Sequence, residues 1–142
     1  GKLFDGEYEF QEIDLGVDGL KVSELTHEGD RAFVIKSTEG VLGYVLSTSA
    51  MGRYDYFDYS VIYAKDLSVM GVLVTTYRSS HGAGICSKGW LKQFKGYHGE
   101  EIRIGKEIDS ISGATFSSTS MVEDMKRSYS LMEELKEFGH LN

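Results

Sequence analysis

The segment DSISGATFSST, Asp109 to Thr119, places six hydroxyl side chains around a glycine–alanine pair, directly before an amphipathic stretch. Another molecule can approach the Thr115 hydroxyl closely, because Gly113 permits backbone conformations closed to other residues and Ala114 adds little bulk. If a helix begins here, the free N–H groups of its first turn and the positive end of its dipole favour a phosphate. These residue types in this order therefore indicate phosphate chemistry at Thr115.

The same hydroxyl groups also have a purely structural interpretation. Ser117, Ser118 or Ser120 could cap the helix, and Ser120 with Glu123 matches the S-x-x-E capping box. Capping accounts for one hydroxyl and leaves the rest of the segment, including Asp109, without a role. On the residues alone, both interpretations stay open.

Strand-favouring segments occupy the middle of the chain. RAFVIKS and VLGYVLSTS flank the turn-like Thr38-Glu39-Gly40, which predicts a β-hairpin. GRYDYFDYSVIYA and VMGVLVTTYRSS predict a second antiparallel pair, since the connection between them is too short for a parallel crossover. HGEEIRIG is predicted to be a short strand. In residues 1–30, glycines interrupt a brief alternation, so this segment is predicted to be an irregular lead-in.

Two helices are predicted after the strands. Trp90, Leu91 and Phe94 mark one face of a short helix that ends near Gly96. A longer C-terminal helix is indicated by apolar residues at helical spacing, namely Met121, Val122, Met125, Tyr129, Met132 and Leu135. The charged residues between them, Glu123, Asp124, Lys126 and Arg127, predict a solvated face.

The order of these elements predicts an α+β fold in a single domain, residues 1–142. Strands come first and helices follow, without βαβ alternation. We expect a twisted, mainly antiparallel sheet with a short helix and a C-terminal amphipathic helix packed on it. The length and the 41% hydrophobic content suffice for one core.

Composition excludes several classes of function. The formal net charge is -7, without a long basic run, so no nucleic-acid partner is expected. One cysteine, Cys86, allows no intramolecular disulfide, and the four histidines lack metal-ligand spacing, so no metal site is expected. Cys86 with His81 could act as a nucleophile and base, or Cys86 could be a small buried residue. No apolar run approaches the roughly 18 residues of a membrane span.

The segment DSISGATFS, Asp109 to Ser117, resembles the D-x-x-[ST]-G-A-[ST]-x-[ST] flavinylation motif of the FMN-binding domain family. That family includes the RnfG and NqrC subunits of membrane redox complexes. The resemblance implies that an ApbE-type flavin transferase, using FAD and a divalent metal, attaches FMN to Thr115 through a phosphoester. It implies cofactor-binding positions around the acceptor, at Asp109, Ser112, Gly113, Ala114, Ser117 and Ser118.

The segment SSHGAGICSKGWLKQFKG resembles the family's loop-helix block, in which a glycine loop precedes an aromatic residue and Q-F-x-G. The resemblance implies that Gly82 and Gly84 approach the flavin, while Trp90, Gln93 and Phe94 pack the supporting helix. The chain departs from the E-T-P-G-L-G form of the loop, since it has no proline.

The segment GRYDYFDYS occupies the place of a glycine- and aromatic-containing segment that lines the flavin in the family. Tyr54 and Tyr56 are therefore expected to stack on or edge the isoalloxazine, since aromatic faces suit a planar ring. The alternative is a strand whose tyrosines pack in the core or face water.

The function implied by the resemblance is that of an extracytoplasmic electron-transfer flavoprotein. FMN would be its cofactor, and it would act as an electron carrier within a redox system rather than as a stand-alone catalyst. Its partners would be the transferase and membrane or extracytoplasmic redox proteins. Because the sequence starts at Gly1, we expect that a targeting segment was removed from a periplasmic or membrane-anchored protein. The alternative is a module that binds FMN noncovalently, or that senses another ligand.

Overall fold

A computed structural model describes residues 6–17, 20–21, 23–52, 54–79 and 83–141. Within these ranges, five strands form one antiparallel sheet. In their order across the sheet, they are β1 (Glu9–Ile13), β4 (Arg31–Ser37), β5 (Gly40–Met51), β6 (Tyr56–Ala64) and β7 (Val69–Tyr77). A separate two-stranded ribbon pairs β2 (Gly16–Val17) with β3 (Leu20–Lys21).

Both predicted hairpins are confirmed. β4 pairs with β5 across the turn that precedes Gly40, and β6 pairs with β7. Along β6 every second side chain from Phe57 to Tyr63 is buried, as expected of a strand with one face on the core. The β5–β6 pairing runs from Gly43 with Ala64 to Met51 with Tyr56. β5 is the central strand of the sheet, with β4 and β6 on either side.

The predicted C-terminal helix is confirmed as α2 (Thr115–Glu137), which packs across the sheet at β5. Most of its apolar side chains are buried, including Met121, Val122, Met125, Leu131, Met132 and Leu135. The α+β fold, with the helix on an antiparallel sheet, is therefore as predicted.

The predicted short helix is confirmed as α1 (Lys88–Leu91), which continues into a 3₁₀ turn, Lys92–Phe94. Gly96, with φ of 88°, reverses the chain after this turn. Gly96 N–H donates to Val69 O at 2.7 Å, and Val69 N–H donates to Tyr97 O at 2.9 Å. These bonds attach the connection between β7 and α2 to the start of β7.

Two predictions about the strands were wrong. Residues 1–30 were expected to be irregular, yet they contain β1, which pairs with β4. Four of the five β1 side chains are exposed. Because the strand does not bury one face, its sequence lacks the alternation of apolar and polar residues that marks a half-buried strand. HGEEIRIG was expected to be a strand, but its described residues form a loop with one isolated bridge between Ile104 and Ile108. Gly105, with φ of 85°, turns the chain between them.

The prediction of a solvated charged face on α2 was wrong for Asp124 and Arg127. The Arg127 side chain is 13% exposed, and it lies between Asp124, at 2.9 Å, and Asp30, at 3.2 Å. It also donates to Leu25 O at 2.7 Å and to Thr48 Oγ1 at 2.8 Å. Burial of this charge is tolerated because the guanidinium is paired and hydrogen-bonded to several partners.

Candidate functional site

Thr115, the predicted acceptor, is the first residue of α2 and is exposed. The preceding residue, Ala114, is the N-cap, and its side chain makes no capping hydrogen bond. The first backbone bond of the helix runs from Ser118 N–H to Ala114 O at 2.9 Å. The N–H groups of residues 115–117 therefore have no acceptor within the helix, and the positive end of the dipole lies beside the Thr115 hydroxyl.

The capping interpretation of the serines was wrong. Ser117 and Ser118 are buried in the first turn of α2, and Ser120 lies one turn too late to be its N-cap. Ser117 Oγ lies 3.1 Å from Tyr77 OH, and Ser118 Oγ donates to Thr115 O at 3.2 Å. The structure thus places both buried hydroxyls in contacts within the protein, and leaves Thr115 at the surface.

The loop before Thr115 leaves open space at the acceptor. Gly113 has φ of 78°, in the region that favours glycine, and a Cβ added there would meet no atom within 4 Å. Ala114 is buried, and its N–H donates to Ile111 O at 3.0 Å. Asp109 and Ser112 are exposed. The glycine therefore serves the turn, while the small alanine packs inward and the hydroxyl after it faces outward.

The start of the acceptor loop is attached to α1 and to the turn after it. Trp90 Nε1 donates to Asp109 O at 2.8 Å, and Asp109 N–H donates to Gln93 Oε1 at 2.9 Å. Trp90 and Phe94 are buried, with their rings in an edge-to-face contact. The segment that the resemblance named as a supporting helix thus contacts the predicted motif directly.

Gly84 lies against the middle of the acceptor loop. A Cβ added at Gly84 would stand 2.8 Å from Ile111 Cγ2, so any larger residue would require a displacement. The predicted glycine loop and the predicted acceptor loop are therefore neighbours, and the glycine accommodates a protein side chain. Gly82, the other glycine predicted to approach the flavin, lies outside the described residues.

The turn between β5 and β6 lies beside the start of α2. A Cβ added at Gly52 would meet Asp55 O at 2.7 Å and Ser117 Oγ at 3.6 Å, which shows how close the turn approaches the helix. Tyr54 and Tyr56 are 62% and 54% exposed, so the interpretation that they pack in the core was wrong. Both side chains face water, as the other form of that alternative allowed, with Tyr54 in the turn and Tyr56 at the first position of β6.

Two further exposed apolar residues were not singled out from the sequence. Phe116, next to the acceptor, is 52% exposed, and Met51 forms the last pair of the β5–β6 ladder with Tyr56. Paired residues share one face of a sheet, so Met51 and Tyr56 are adjacent. The signal available in the sequence was weak, because an apolar residue next to a strand or helix end is usually read as core.

A charged pair borders Tyr56. Arg78 binds Asp58 at 2.8 Å and donates to Tyr56 O at 3.0 Å. Hydrogen bonds hold the pKa of the Asp58 carboxyl below its usual range; the bond from Arg78 contributes most and the bond from Ser49 contributes next. The cation is thus engaged by Asp58 and by the strand that carries Tyr56.

The alternative of a catalytic cysteine is not supported by the described residues. Cys86 is exposed, so the expectation of a small buried residue was wrong. Partial desolvation raises the pKa of its thiol, which disfavours the nucleophilic thiolate. His81, the suggested base, lies outside the described residues. No group of three or more histidine, cysteine or acidic residues that could hold a metal is found among the residues that the structure describes.

Comparison with known proteins identifies no relative: no family model matches the chain, and no curated protein matches it. The resemblance to the FMN-binding domain family therefore depends on the motif residues themselves. In the described part of the chain, no helix is both long and apolar enough to cross a membrane.

Proposed function

We propose that this chain is an electron-carrying flavoprotein domain with FMN attached through a phosphoester to Thr115. The observation that supports the proposal best is the position of this hydroxyl, which is exposed at the start of a 23-residue helix whose N-cap is alanine. A phosphate on Thr115 would lie at the positive end of the helix dipole.

The residues around Thr115 suit an FMN phosphate in their chemistry. The N–H groups of the first turn can donate hydrogen bonds to phosphate oxygens, and Gly113 leaves the approach open. Tyr54 and Tyr56 offer exposed aromatic rings for the isoalloxazine. The flavin would supply one- and two-electron chemistry, while this chain would position the ring and exclude water from part of it.

Covalent attachment is consistent with the charge of the molecule. The net charge of -7 opposes noncovalent binding of an anionic cofactor. A phosphoester makes occupancy independent of affinity, which suits a location where free FMN is scarce. We therefore also propose an extracytoplasmic location, with an ApbE-type transferase and membrane or extracytoplasmic redox proteins as partners.

The deciding experiment is the intact mass of the denatured protein before and after incubation with an ApbE-type transferase, FAD and Mg²⁺. We expect the wild type to gain the mass of FMN less water. Thr115→Ser keeps the hydroxyl and should also gain this mass, whereas Thr115→Ala should not. A matched control is Thr119→Ala, which removes another exposed hydroxyl from the same helix and should leave the gain unchanged.

The same samples separate covalent from noncovalent binding. If the wild type gains no mass but holds a yellow chromophore until it is denatured, the chain binds FMN without a phosphoester. If Thr115→Ala gains the mass as fully as the wild type, the acceptor is another residue.

A further inference from the structure

Gln93, Trp90 and Asp109 form a closed ring of three hydrogen bonds. The Gln93 side-chain nitrogen donates to Trp90 O at 3.0 Å, and the indole N–H of Trp90 donates to Asp109 O at 2.8 Å. Asp109 N–H then donates to Gln93 Oε1 at 2.9 Å. Both main-chain polar groups of Asp109 are thus held by side chains from one short helical segment.

The chemistry of the ring specifies glutamine at position 93. Its oxygen must accept from the Asp109 N–H while its nitrogen donates to the Trp90 carbonyl. A reversed amide would place N–H against N–H and oxygen against oxygen. A glutamate would keep the acceptor but lose the donor, and an alanine would lose both.

The acceptor loop before Thr115 is held at only a few points by the contacts of the described residues. Ile108, just before the loop, is buried, and Ile111 packs against Gly84. At the far end, Ala114 N–H donates to Ile111 O. The ring holds the main chain of Asp109, six residues before Thr115. Without it, the first part of the loop would depend on Ile108 and Ile111 for its position.

We propose that Gln93 is a positioning residue for flavin attachment, which orders the acceptor loop in the conformation that the transferase binds. This inference depends on the proposed function. In that reaction the Thr115 oxygen bonds to the phosphorus of the FMN half of FAD, and the pyrophosphate bond breaks. AMP leaves with the electron pair of that bond, and the hydroxyl proton passes to a basic group of the transferase.

Gln93 would act by preorganisation rather than by contact with the flavin. If a loop samples many conformations, only a fraction of the molecules is in the conformation that the partner binds. The apparent affinity falls in proportion to that fraction. Loss of the ring should therefore raise the KM of the transferase for this chain and leave kcat largely unchanged.

The test compares the kinetics of flavin attachment for the wild type, Gln93→Ala and Gln93→Glu, with Lys92→Ala as a control on an exposed neighbour. We expect Gln93→Ala to lower kcat/KM about tenfold or more, through KM. Gln93→Glu should recover part of the loss, because it keeps the acceptor for Asp109 N–H, and Lys92→Ala should match the wild type. Circular dichroism and urea titration of each variant must show the same folded fraction under assay conditions.

Amide hydrogen exchange gives a readout that does not depend on the transferase. The Asp109 amide should be protected in the wild type and exchange at least tenfold faster in Gln93→Ala, while amides in β5 keep their protection. If Gln93→Ala does not fold, the attachment kinetics of Gln93→Glu and the exchange of the Asp109 amide in the wild type still test the positioning role of Gln93.

Equal kcat/KM for wild type and Gln93→Ala would overturn the positioning role while leaving the proposed function intact. An unprotected Asp109 amide in the wild type would overturn it as well. A wild type that accepts no flavin, although its Asp109 amide is protected, would instead refute the proposed function and with it the role of Gln93 in attachment.

Discussion

Arg127 on α2 and Asp30 before β4 form an ion pair of 3.2 Å across 97 residues of sequence. The Asp30 side chain is 1% exposed, so both charges are removed from water. Thr48 on β5 and Asp124 on α2 complete the arrangement. The helix is thus joined to the sheet by a polar centre as well as by its apolar face.

Removing Arg127 should be strongly destabilising. Arg127→Ala leaves Asp30 and Asp124 buried without their cation, and we expect a loss of about 3–5 kcal/mol in the free energy of unfolding. The matched control is Arg103→Ala, whose partner Glu107 is exposed, and which should change stability by less than about 1 kcal/mol. Urea titration measures both. Similar losses for the two variants would contradict the importance of burial.

Two buried tyrosines on β6 should respond oppositely to loss of the hydroxyl. Tyr59 OH bonds Asp124 and lies 2.8 Å from Ser128 Oγ, whereas Tyr63 OH has no hydrogen-bond partner among the described residues. We expect Tyr59→Phe to cost about 1–3 kcal/mol and Tyr63→Phe to be neutral or stabilising by about 1 kcal/mol. Thermal and urea unfolding of the pair checks the sign. A destabilised Tyr63→Phe would show that its hydroxyl has a partner.

Alkaline pH should destabilise the protein through the same residues. Burial, and for Tyr59 also the neighbouring Asp124 carboxylate, raises the pKa of both hydroxyls above the usual value of about 10. The folded state therefore keeps protons that the unfolded chain releases, so stability is full below about pH 10 and falls as pH rises above it. The urea midpoint measured from pH 8 to 11 should decline, and the decline should be smaller in Tyr63→Phe. A flat profile would contradict this.

The two glycines at the acceptor loop should differ in why they resist substitution. Gly84→Ala brings a Cβ to 2.8 Å from Ile111 and should cost about 1–3 kcal/mol, of which Ile111→Ala in the same chain restores a part. Gly113→Ala meets no atom, so its cost of about 1 kcal/mol comes from the left-handed φ and should not be restored by Ile111→Ala. Double-mutant cycles from urea titration distinguish the two cases. Equal coupling with Ile111 would refute the distinction.

Residues in regular, half-buried elements were the most predictable from the sequence. The β4–β5 and β6–β7 hairpins were predicted from runs of strand-favouring residues, and α2 from apolar residues at helical spacing that the structure buries. β1 could not be found in this way, since a mostly exposed edge strand has no apolar period. The burial of Arg127 could not be found either, because its partners Asp30 and Thr48 are distant in sequence.

The position of the motif directly before the C-terminal helix was predictable from the sequence, but the contacts that hold its loop were not. The exposed Thr115 after Gly113 and Ala114 agrees with what the local residues require. The ring of Gln93, Trp90 and Asp109 joins a side-chain amide, an indole and a peptide group from two segments. Such hydrogen bonds leave no repeating pattern in the sequence, so they could be identified only from the structure.

The exposed position of Thr115 at the start of a packed helix bears on the order of maturation. Its neighbours in α2, Ser117 and Ser118, are buried, so in the folded chain exposure distinguishes the Thr115 hydroxyl from theirs. An enzyme that recognised this arrangement, rather than the sequence alone, would distinguish the finished fold from an unfolded or newly made chain. If FMN is attached to Thr115 as proposed, attachment would then favour correctly folded molecules.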